Sequence, residues 1–317
     1  MYMTKIVYIT GCLGFIGSYV TRACLDQGWY VKGIDKITYA ARKELLEEFN
    51  DNPKFSFEKL DICNIERLVD CDYFINTAAE THVDNSIRKS DDFIHSNING
   101  VYNILELLKA YKREGYVTPT FIHFSTDEVY GDVIEGEHIE TDILKPSNPY
   151  SATKAAADQL IIAWSRTYGL NYVIIRPTNN YGIGQYVEKL IPKSVKYLSV
   201  GRKIDLHNKG TPVRTWLHAE DTARAVITII ESGVTNEIFN ISGNYEEKNI
   251  EVVRKIIKLV NGDTEIEKYL TDMIRPGQDL RYSIDDTKLK SLGWTAKADF
   301  DTELKKVVEY YRNNFIW

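Results

Sequence analysis

Two adjacent carboxyl side chains, Asp127 and Glu128, come directly after two hydroxyl side chains, Ser125 and Thr126. Residues 121–124 before them are mostly apolar and predict a buried strand, so the polar group falls at a strand's carboxyl end. Ligands of open α/β sheets bind at that edge. Coupled acids in a partly dry site can split their pKa values, so that one accepts a proton while the other donates one. The stretch therefore predicts acid and base catalysis, and a solvated strand end is the alternative interpretation.

A tyrosine and a lysine stand one helical turn apart at Tyr150 and Lys154, where a helix is predicted to continue through Trp164. The tyrosine hydroxyl has a pKa of about 10 in model peptides, and a nearby ammonium group favours the phenolate. The pair can therefore supply a base near neutral pH. Its spacing is common by chance, so it becomes informative only beside the neighbouring motifs.

A glycine-rich turn lies near the amino terminus. Residues 5–10 predict a first strand, Gly11, Gly14 and Gly17 follow, and a helix is predicted through Leu25. Such a turn is tight, its backbone approaches a pyrophosphate closely, and the helix amino terminus offers N–H donors. The spacing is GxxGxxG rather than GxGxxG, and the strand–turn–helix context favours dinucleotide binding over a purely structural role.

The residues that end the next predicted strands fit the same ligand. Asp35 follows the glycines at roughly the 20-residue distance at which an acid binds a ribose 2′-hydroxyl. Because a carboxylate there repels a 2′-phosphate, NAD is favoured over NADP. We expect Asp61 and Ile62 either to meet the adenine or to cap a loop. Ala78 and Ala79 leave room for a dinucleotide against the backbone.

The composition is that of an ordinary globular protein: 317 residues, 44% hydrophobic and 26% charged. A net charge of -6 argues against nucleic acid or an anionic membrane as the main partner. The four cysteines show no zinc-type spacing with the six histidines, so we expect small buried thiols, a reducing compartment and no metal site. No basic leader and no run of about 18 apolar residues occurs in the sequence, which favours the cytoplasm.

Strand and helix patterns alternate, which predicts an α/β fold with a Rossmann-type doubly wound parallel sheet and a smaller carboxyl-terminal α/β domain. We assign residues 1–178 to the NAD-binding domain with the catalytic residues. Residues 179–317 are assigned mainly to substrate binding, with some chain returning to the first domain. The predicted strands are residues 5–10, 30–34, 55–60, 72–76, 121–124 and 171–177. Asn97 is expected to open a helix, where it either orders the site or caps the helix.

Together these motifs resemble the extended short-chain dehydrogenase/reductases, and most closely their nucleoside-diphosphate-glucose 4,6-dehydratases of the dTDP-glucose type. The resemblance spans nearly the whole chain and is carried by residues 10–18, 35–40, 78–84, 125–131 and 150–154. The glycine turn and the tyrosine–lysine pair are shared by the superfamily. The acid pair after Thr126 is much more specific to the dehydratases, since related epimerases carry small or hydroxyl residues there.

The resemblance implies dehydration of dTDP-glucose or UDP-glucose to a 4-keto-6-deoxy sugar nucleotide, the first committed step towards rhamnose-type deoxysugars. It also implies tightly bound NAD that is regenerated in each turnover. Tyr150, helped by Lys154, would take the proton of the 4-hydroxyl, held by Thr126, while a hydride leaves C4. Glu128 would remove the C5 proton, Asp127 would protonate the departing C6 hydroxyl, and the hydride would return to C6.

The same resemblance implies a set of contact residues. The cofactor contacts are Gly11, Gly14, Phe15, Ile16, Gly17, Asp35, Lys36, Thr38, Asp61, Ile62, Ala78, Ala79, Asn97, Tyr150 and Lys154. The substrate contacts are Thr81, His82, Ser125, Thr126, Asn179, Lys189, Leu190, Arg214, Asn249, Arg281 and Tyr282. We expect Arg214 in a turn and, with Arg281, on the diphosphate, because a guanidinium donates two parallel hydrogen bonds.

Several points stay open. Thr215 replaces an acid of the family pattern and Gln278 replaces a histidine, which leaves the nucleotide undecided. Thymine and uracil differ by one methyl group, worth only about 1–3 kcal/mol. The alternatives are a nucleotide-sugar 4-epimerase or decarboxylase, which needs no proton donor to C6, and a non-catalytic NAD-binding regulator, which needs no Tyr150–Lys154 pair. The helices at residues 99–110 and 150–164 have apolar faces, and the resemblance implies that these faces form the interface of a homodimer.

Overall fold

The computed structural model of the chain describes residues 4–263 and 265–314, so both ends of the predicted domain ranges, residues 1–3 and 315–317, lie outside it. The strands are β1 (Ile6–Thr10), β2 (Tyr30–Asp35), β3 (Phe55–Lys59), β4 (Tyr73–Asn76), β5 (Thr120–Phe124), β6 (Tyr172–Pro177), β7 (Asn179–Tyr181), β8 (Ile204–His207), β9 (Val213–His218), β10 (Glu237–Ile241), β11 (Tyr245–Lys248) and β12 (Leu270–Met273). The α-helices are α1 (Phe15–Asp26), α2 (Leu45–Asn50), α3 (Val83–Arg88), α4 (Asp91–Phe93), α5 (Gly100–Arg113), α6 (Pro149–Tyr168), α7 (Leu190–Ser199), α8 (Ala219–Ser232), α9 (Asn249–Asn261), α10 (Thr287–Lys290) and α11 (Phe300–Asn313).

Seven parallel strands form the central sheet, in the order β10-β6-β5-β4-β1-β2-β3. The predicted doubly wound parallel sheet is confirmed, and all the predicted strands lie within one residue of the observed bounds. The chain reverses its direction of travel across the sheet at β1, with β2 on one side and β4 on the other. Ligands bind at the carboxyl ends of strands beside such a switch point.

Helices cover both faces of this sheet. Val7 and Ile9 of β1 belong to the core formed with α1 and α8, whereas Tyr8 belongs to the core formed with α5 and α6. Every residue of β5 is buried. Strands covered on both faces are continuously apolar rather than alternating, which explains why the segment before the acid pair was recognisable.

A second lobe follows β6. A three-stranded sheet in the order β11-β9-β7 and a two-stranded pair, β12-β8, pack with α7, α9 and α11 around a separate core. The chain also returns to the central sheet, where α8 packs against α1 and β10 pairs with β6.

Two sequence predictions about elements are wrong. Asn97 does not open a helix, because α4 already begins at Asp91 and runs through a π-helical turn, Ile94–Asn99, directly into α5. Arg214 does not lie in a turn, because it is the second residue of β9 and pairs with β11. Among the residues that the structure describes, no helix has the length and apolar character required to cross a bilayer.

Candidate active site

The glycine turn between β1 and α1 leaves no space for side chains. Gly11 has a φ of 69°, and a Cβ on Gly17 would lie 2.0 Å from the Gly11 carbonyl oxygen. Helix α1 begins after Gly14, and no side chain of the described residues caps it. The first N–H groups of α1 are therefore available to an anionic group such as a pyrophosphate.

Asp35 at the end of β2 is held as a fixed hydrogen-bond acceptor. Its Oδ1 accepts from the Ile37 amide at 2.7 Å and its Oδ2 from the Leu13 amide at 3.2 Å. Burial raises the pKa of Asp35, and these two backbone bonds oppose that rise. Ile37 has a φ of 59°, which is unusual for a β-branched residue and typical of a functional turn. The remaining lone pairs of Asp35 suit a pair of ribose hydroxyls.

One cavity of about 290 Å³ joins the glycine turn to the acid pair. The predicted cofactor residues that line it are Gly11, Gly14, Phe15, Ile16, Gly17, Asp35, Lys36, Thr38, Asp61, Ile62, Ala78, Ala79 and Tyr150. The predicted catalytic or substrate residues that line it are Thr81, Ser125, Thr126, Asp127, Glu128, Asn179 and Lys189. The fold thus brings the dinucleotide residues and the acid pair to the same space, and the residues present fit NAD.

Asp127 occupies a short 3-10 turn, Asp127–Val129, immediately after β5. Thr126 caps this turn: its Oγ1 accepts from the Glu128 amide at 3.3 Å and donates to Asp127 Oδ1 at 3.1 Å. Asp127 Oδ2 is buried, and no partner for it exists among the described residues. Burial, followed by the charge of Glu128, raises the pKa of Asp127 to about 7. Asp127 therefore holds a proton for much of the time near neutral pH.

Glu128 is held from the amino terminus of α6. Asn148 donates from Nδ2 to Glu128 Oε2 at 3.3 Å, and its Oδ1 accepts from the Ser151 amide at 2.9 Å, capping α6. One residue therefore both starts the helix of Tyr150 and orients the second acid. Sequence reasoning missed Asn148, although Asn, then Pro149, then Ser151 is a recognisable helix-start signal.

Tyr150 and Lys154 do not interact in the predicted way. Burial and the charge of Glu128 raise the pKa of Tyr150, against a hydrogen bond with Thr126 that lowers it. Lys154 Nζ instead donates to the Phe124 carbonyl at 2.5 Å and lies 3.3 Å from His123 Nε2. Burial lowers the pKa of Lys154 to about 8. That the Tyr150–Lys154 pair supplies a base near neutral pH therefore stays a prediction.

Asn97 and Lys154 lie behind the cavity rather than on its wall. Asn97 accepts from the Glu80 amide at 2.9 Å and donates to the Glu80 carbonyl at 3.0 Å and to Thr153 Oγ1 at 2.9 Å. It ties the loop after β4 to α6. Of the two roles left open for Asn97, the structure therefore shows the ordering role and excludes the helix cap.

The two diphosphate candidates are placed differently. Arg214 stacks on the ring of Tyr282 at 4.3 Å and lies close enough to Asp127 to lower its pKa. Arg281 forms an ion pair with Glu246 at 2.6 Å and donates to the Gly136 carbonyl at 2.8 Å. Arg214 and Tyr282 are thus near the acid pair, whereas Arg281 is engaged with other partners.

The remaining substrate candidates are not among the residues that line the cavity. His82 precedes α3 and lies 3.9 Å from Asp84, and Leu190 is the first residue of α7. Asn249 is the first residue of α9, and its Oδ1 is buried without a partner among the described residues. A buried unpaired oxygen of this kind suits a ligand donor.

The segment between β7 and α7 forms a wall of the cavity, of which sequence reasoning had singled out Lys189 but not Gln185 or Tyr186. Gln185, Tyr186 and Glu188 line the cavity. The ring of Tyr186 packs edge-on against Tyr39 at 5.1 Å, and Tyr39 donates to Glu188 at 3.4 Å. These contacts join the second lobe to the loop after β2. They depend on residues far apart in the chain, which no local pattern reveals.

One group of possible metal ligands occurs in the described part of the chain. Atoms of Asp61, Cys63 and His95 lie within 4.8 Å of one another. Lys36 Nζ is 3.6 Å from Asp61 Oδ2, and its positive charge opposes a cation there. Cys12 and Cys24 are buried as predicted, whereas Cys63 and Cys71 are partly exposed.

Comparisons with known proteins agree with this geometry. The family model described as GDP-mannose 4,6 dehydratase matches residues 8–307. The chain is similar to dTDP-glucose 4,6-dehydratases of Haemophilus influenzae, at 39% identity, and of Escherichia coli, at 37% identity. These matches cover 97% and 98% of this chain, and 98% and 94% of the relatives.

Solved structures extend the comparison. A dTDP-glucose 4,6-dehydratase of Streptomyces venezuelae with NAD bound superposes with a TM-score of 0.89 at 33% identity, over 97% of each chain. A UDP-glucuronic acid 4-epimerase of Bacillus cereus superposes with a TM-score of 0.87 at 23% identity, over 97% of this chain and 99% of the other. The second match shows the shared fold alone.

Proposed function

The chain belongs to the nucleotide-sugar 4,6-dehydratases of the extended short-chain dehydrogenase/reductase family, and on this premise we propose that it dehydrates dTDP-glucose to the 4-keto-6-deoxy sugar nucleotide. The observation that carries the proposal is the buried Asp127, with a pKa of about 7, beside Glu128 in the cavity of the glycine turn. A dehydration needs both a proton acceptor and a proton donor, and this pair supplies both.

The glycine turn, Asp35 and the small residues Ala78 and Ala79 hold NAD. Bound NAD supplies the hydride acceptor for oxidation at C4 and returns the hydride to C6, so the reaction is redox-neutral. The carboxylate of Asp35 favours a free ribose 2′-hydroxyl over a 2′-phosphate. Gly11 and Gly17 allow the backbone to approach the pyrophosphate, since any side chain there would strike the turn.

Tyr150 removes the proton of the sugar 4-hydroxyl. Thr126, which hydrogen-bonds with Tyr150, orients that hydroxyl. The phenol stays protonated in the ligand-free protein because it is buried beside Glu128. The ammonium of Lys154 and the positive charge of bound NAD would favour the phenolate of Tyr150.

Elimination then uses the two acids. The C4 ketone acidifies the C5–H bond, and Glu128 removes that proton. Asp127 donates its proton to the C6 hydroxyl, which leaves as water. Asn148 holds Glu128 in place, and burial keeps Asp127 protonated near neutral pH. Glu128 returns to its starting state when it gives its proton back to C5 as hydride reaches C6. Asp127 regains its proton through solvent from Tyr150, which holds the proton taken from the 4-hydroxyl.

A nucleotide-sugar 4-epimerase of the same fold is the alternative function, because such an epimerase superposes closely on this chain. Epimerisation needs hydride transfer at C4 but no proton donor at C6. Asp127, buried with a raised pKa, has no task in that reaction. A non-catalytic NAD-binding regulator would likewise leave both Asp127 and Tyr150 without a role.

Turnover without added NAD tests the proposal. The purified protein is incubated separately with dTDP-glucose and UDP-glucose, and the alkali-induced absorbance of a 4-keto-6-deoxy product is measured. We expect product from dTDP-glucose. Comparison with product formation from UDP-glucose measures how much one methyl group contributes to the selectivity for the nucleotide. Product without added NAD would also support retention of the cofactor. Recovery of only a galactosyl epimer would exclude the dehydratase.

The role of Glu128 has its own test. We expect Glu128→Gln to suppress entry of solvent deuterium at C5, because the amide cannot accept the C5 proton. Mass spectrometry of the product formed in D₂O measures that entry. Undiminished exchange would show that another group is the base.

The site residues divide between two proposed domains. We propose residues 1–178 as the NAD-binding domain and residues 179–317 mainly as the nucleotide-sugar domain. Support comes from the separate core formed by α7, α9 and α11, together with the return of α8 and β10 to the central sheet. In this proposal Arg214, Tyr282 and Asn249 contact the nucleotide side of the substrate.

We also propose a homodimer that works in the cytoplasm. Tyr102 of α5 is 48% exposed and packs edge-on against Trp164 of α6, which in turn packs against Tyr168. These rings form an apolar surface on neighbouring helices. All four cysteines are free thiols, which is typical of a reducing compartment. Light scattering of the wild type and of Tyr102→Glu tests the dimer.

A further inference from the structure

Three polar side chains form a row through the central sheet behind the active site. Thr10 of β1 is in register with Asn76 of β4, which is in register with His123 of β5. Thr10 Oγ1 lies 2.6 Å from Asn76 Oδ1, and Asn76 Nδ2 lies 3.0 Å from His123 Nδ1. All three side chains are at most 1% exposed. The row is therefore cut off from solvent.

The row ends on the catalytic lysine. His123 Nε2 lies 3.3 Å from Lys154 Nζ, whose other partner is the Phe124 carbonyl. Buried polar groups destabilise a core unless each is hydrogen-bonded, so three of them in succession suggest a purpose beyond packing. Neighbouring core positions on these strands, such as Val7 and Phe74, are apolar. The polar positions are those from which a chain of hydrogen bonds reaches Lys154.

Asp158, one turn along α6, is paired through one of its two oxygens. Its Oδ2 accepts from Arg176 Nε of β6 at 3.0 Å and from Ser125 Oγ at 3.0 Å, whereas its Oδ1 is buried without a partner among the described residues. Asp158 raises the pKa of Lys154, against the larger effect of burial. Tyr150 lies one turn earlier on α6, and its nearest acids raise its own pKa. Among the described residues, His123 is the side chain that hydrogen-bonds with the ammonium group of Lys154.

The charge of Lys154 fixes the direction of the hydrogen bonds. Burial lowers the pKa of Lys154 to about 8, so the ammonium form prevails at pH 7, and an ammonium group only donates. His123 is neutral, since burial and Lys154 hold its pKa well below the usual value. Its Nε2 must then accept, so Nδ1 carries the hydrogen. A half-turn of the Asn76 amide, which exchanges Oδ1 and Nδ2 in the same space, provides the acceptor for it.

We propose that His123, braced by Asn76 and Thr10, is a positioning residue that holds the ammonium group of Lys154 in place for the oxidation step. The importance of Lys154 rests on the proposed function, whereas the contact itself does not. Two of the three N–H bonds of Lys154 are directed to His123 and Phe124.

A matched pair of substitutions isolates the contact. The amide of His123→Gln can occupy the position of Nε2 and accept from Lys154. The shorter side chain of His123→Asn can reach Asn76 but not Lys154. The ¹³Cε NMR signal of Lys154, assigned by its loss in Lys154→Arg, reports the lysine titration without any turnover. Stopped-flow formation of bound NADH from dTDP-glucose at pH 7.5 reports the oxidation step.

We expect His123→Asn to lower the titration midpoint of Lys154 by about one pH unit, because the ammonium form loses an acceptor. NADH formation should slow about tenfold with unchanged affinity for the sugar nucleotide, and His123→Gln should recover most of both. Equal effects of the two variants would overturn the proposal. In the wild type, ¹⁵N NMR should find the Nδ1–H tautomer of His123 at pH 7, and the Nε2–H tautomer would also overturn it.

Two measurements distinguish an error in the proposed function from an error in the proposed role of His123. The tautomer measurement uses the wild type, so it remains decisive even where a His123 variant fails to fold. A protein that binds NAD but does not oxidise dTDP-glucose would contradict the proposed function, while the NMR titrations would still test the contact between His123 and Lys154.

Discussion

At the scale of single residues, Asp127 and Glu128 show how environment divides two carboxyl groups of nearly the same chemistry. Asp127 is 3% exposed and has an oxygen without a partner in the described structure, whereas Glu128 is only partly buried and accepts from Asn148. Burial favours the neutral acid at position 127. The sequence shows that two acids are adjacent, but only their burial in the fold shows that Asp127 is the one that favours the protonated form.

Asp127→Asn should separate oxidation from elimination. We expect bound NADH still to form, while release of 4-keto-6-deoxy product falls by about 100-fold or more, because the amide cannot donate the proton. In the wild type, elimination should weaken as pH rises through about 7, where Asp127 loses its proton. Rapid-quench product analysis between pH 6 and pH 9 measures this. A variant that retained the wild-type pH profile would remove Asp127 from the acid role.

The same carboxyl group should make folding depend on pH. A pKa raised from 3.8 to about 7 means that folded Asp127 keeps its proton while the unfolded chain loses it. This contribution favours folding at low pH and disappears as pH rises to about 7. Between pH 5 and pH 8 the wild type should lose about 3 kcal/mol that Asp127→Asn retains. Urea unfolding at both pH values measures it, and the exposed Asp51→Asn is the control that should follow the wild type.

At the scale of elements, α6 is placed by its cap. Asn148 accepts from the Ser151 amide and donates to Glu128, so the start of the helix and the position of the base are set together. Asn97 secures the same helix further along, through Thr153. The helix that carries Tyr150 and Lys154 is therefore fixed at two points against the loops that carry the acids.

Substitutions at Asn148 should separate these two tasks. Asn148→Ala should lower the free energy of unfolding by about 1 kcal/mol through loss of the cap, and Asn148→Ser should restore most of that loss. Neither side chain reaches Glu128, so both variants should slow elimination several-fold. Urea unfolding and product formation are measured on the same preparations. Full activity in Asn148→Ser would show that the contact with Glu128 has no catalytic role.

The elements that sequence reasoning predicted are those with local signals. Continuous apolar runs gave the strands of the central sheet, and the glycines gave the turn before α1. The start of α5 was misplaced because the π-helical turn Ile94–Asn99 has no period that an apolar pattern displays. The pairing of Arg281 with Glu246 was missed because the two residues are 35 positions apart in the chain, and the place of Arg281 on a diphosphate stays a prediction. The row from Thr10 to His123 was also missed, since register between strands is a property of the sheet.

At the scale of the whole molecule, the two lobes are joined across the cleft by polar contacts. Arg275, in the segment after β12, forms two hydrogen bonds with Asp84 of α3, at 2.6 and 3.1 Å. Lys189, before α7, donates to the Thr81 carbonyl at 3.0 Å. Thr81 and Lys189 line the cavity, and Arg275 and Asp84 lie close enough to Lys189 to affect its pKa. We expect these contacts to keep the cleft closed over a bound sugar nucleotide.

The Asp84–Arg275 pair should therefore contribute more to keeping the oxidised sugar in the cleft than to the free energy of unfolding. Asp84→Asn removes the charge of a pair that is about a quarter exposed on each side, so the free energy of unfolding should change by no more than about 1 kcal/mol. A looser cleft should release the oxidised sugar before hydride returns, which leaves the enzyme as its NADH form. We expect NADH, followed by the absorbance of its reduced nicotinamide ring, to accumulate during turnover of Asp84→Asn.

Asp301→Asn, which breaks the exposed pair with Lys255, is the matched control and should accumulate no NADH. If Asp84→Asn turned over dTDP-glucose without NADH accumulation and with wild-type affinity, the pair would be a surface contact with no part in closing the cleft.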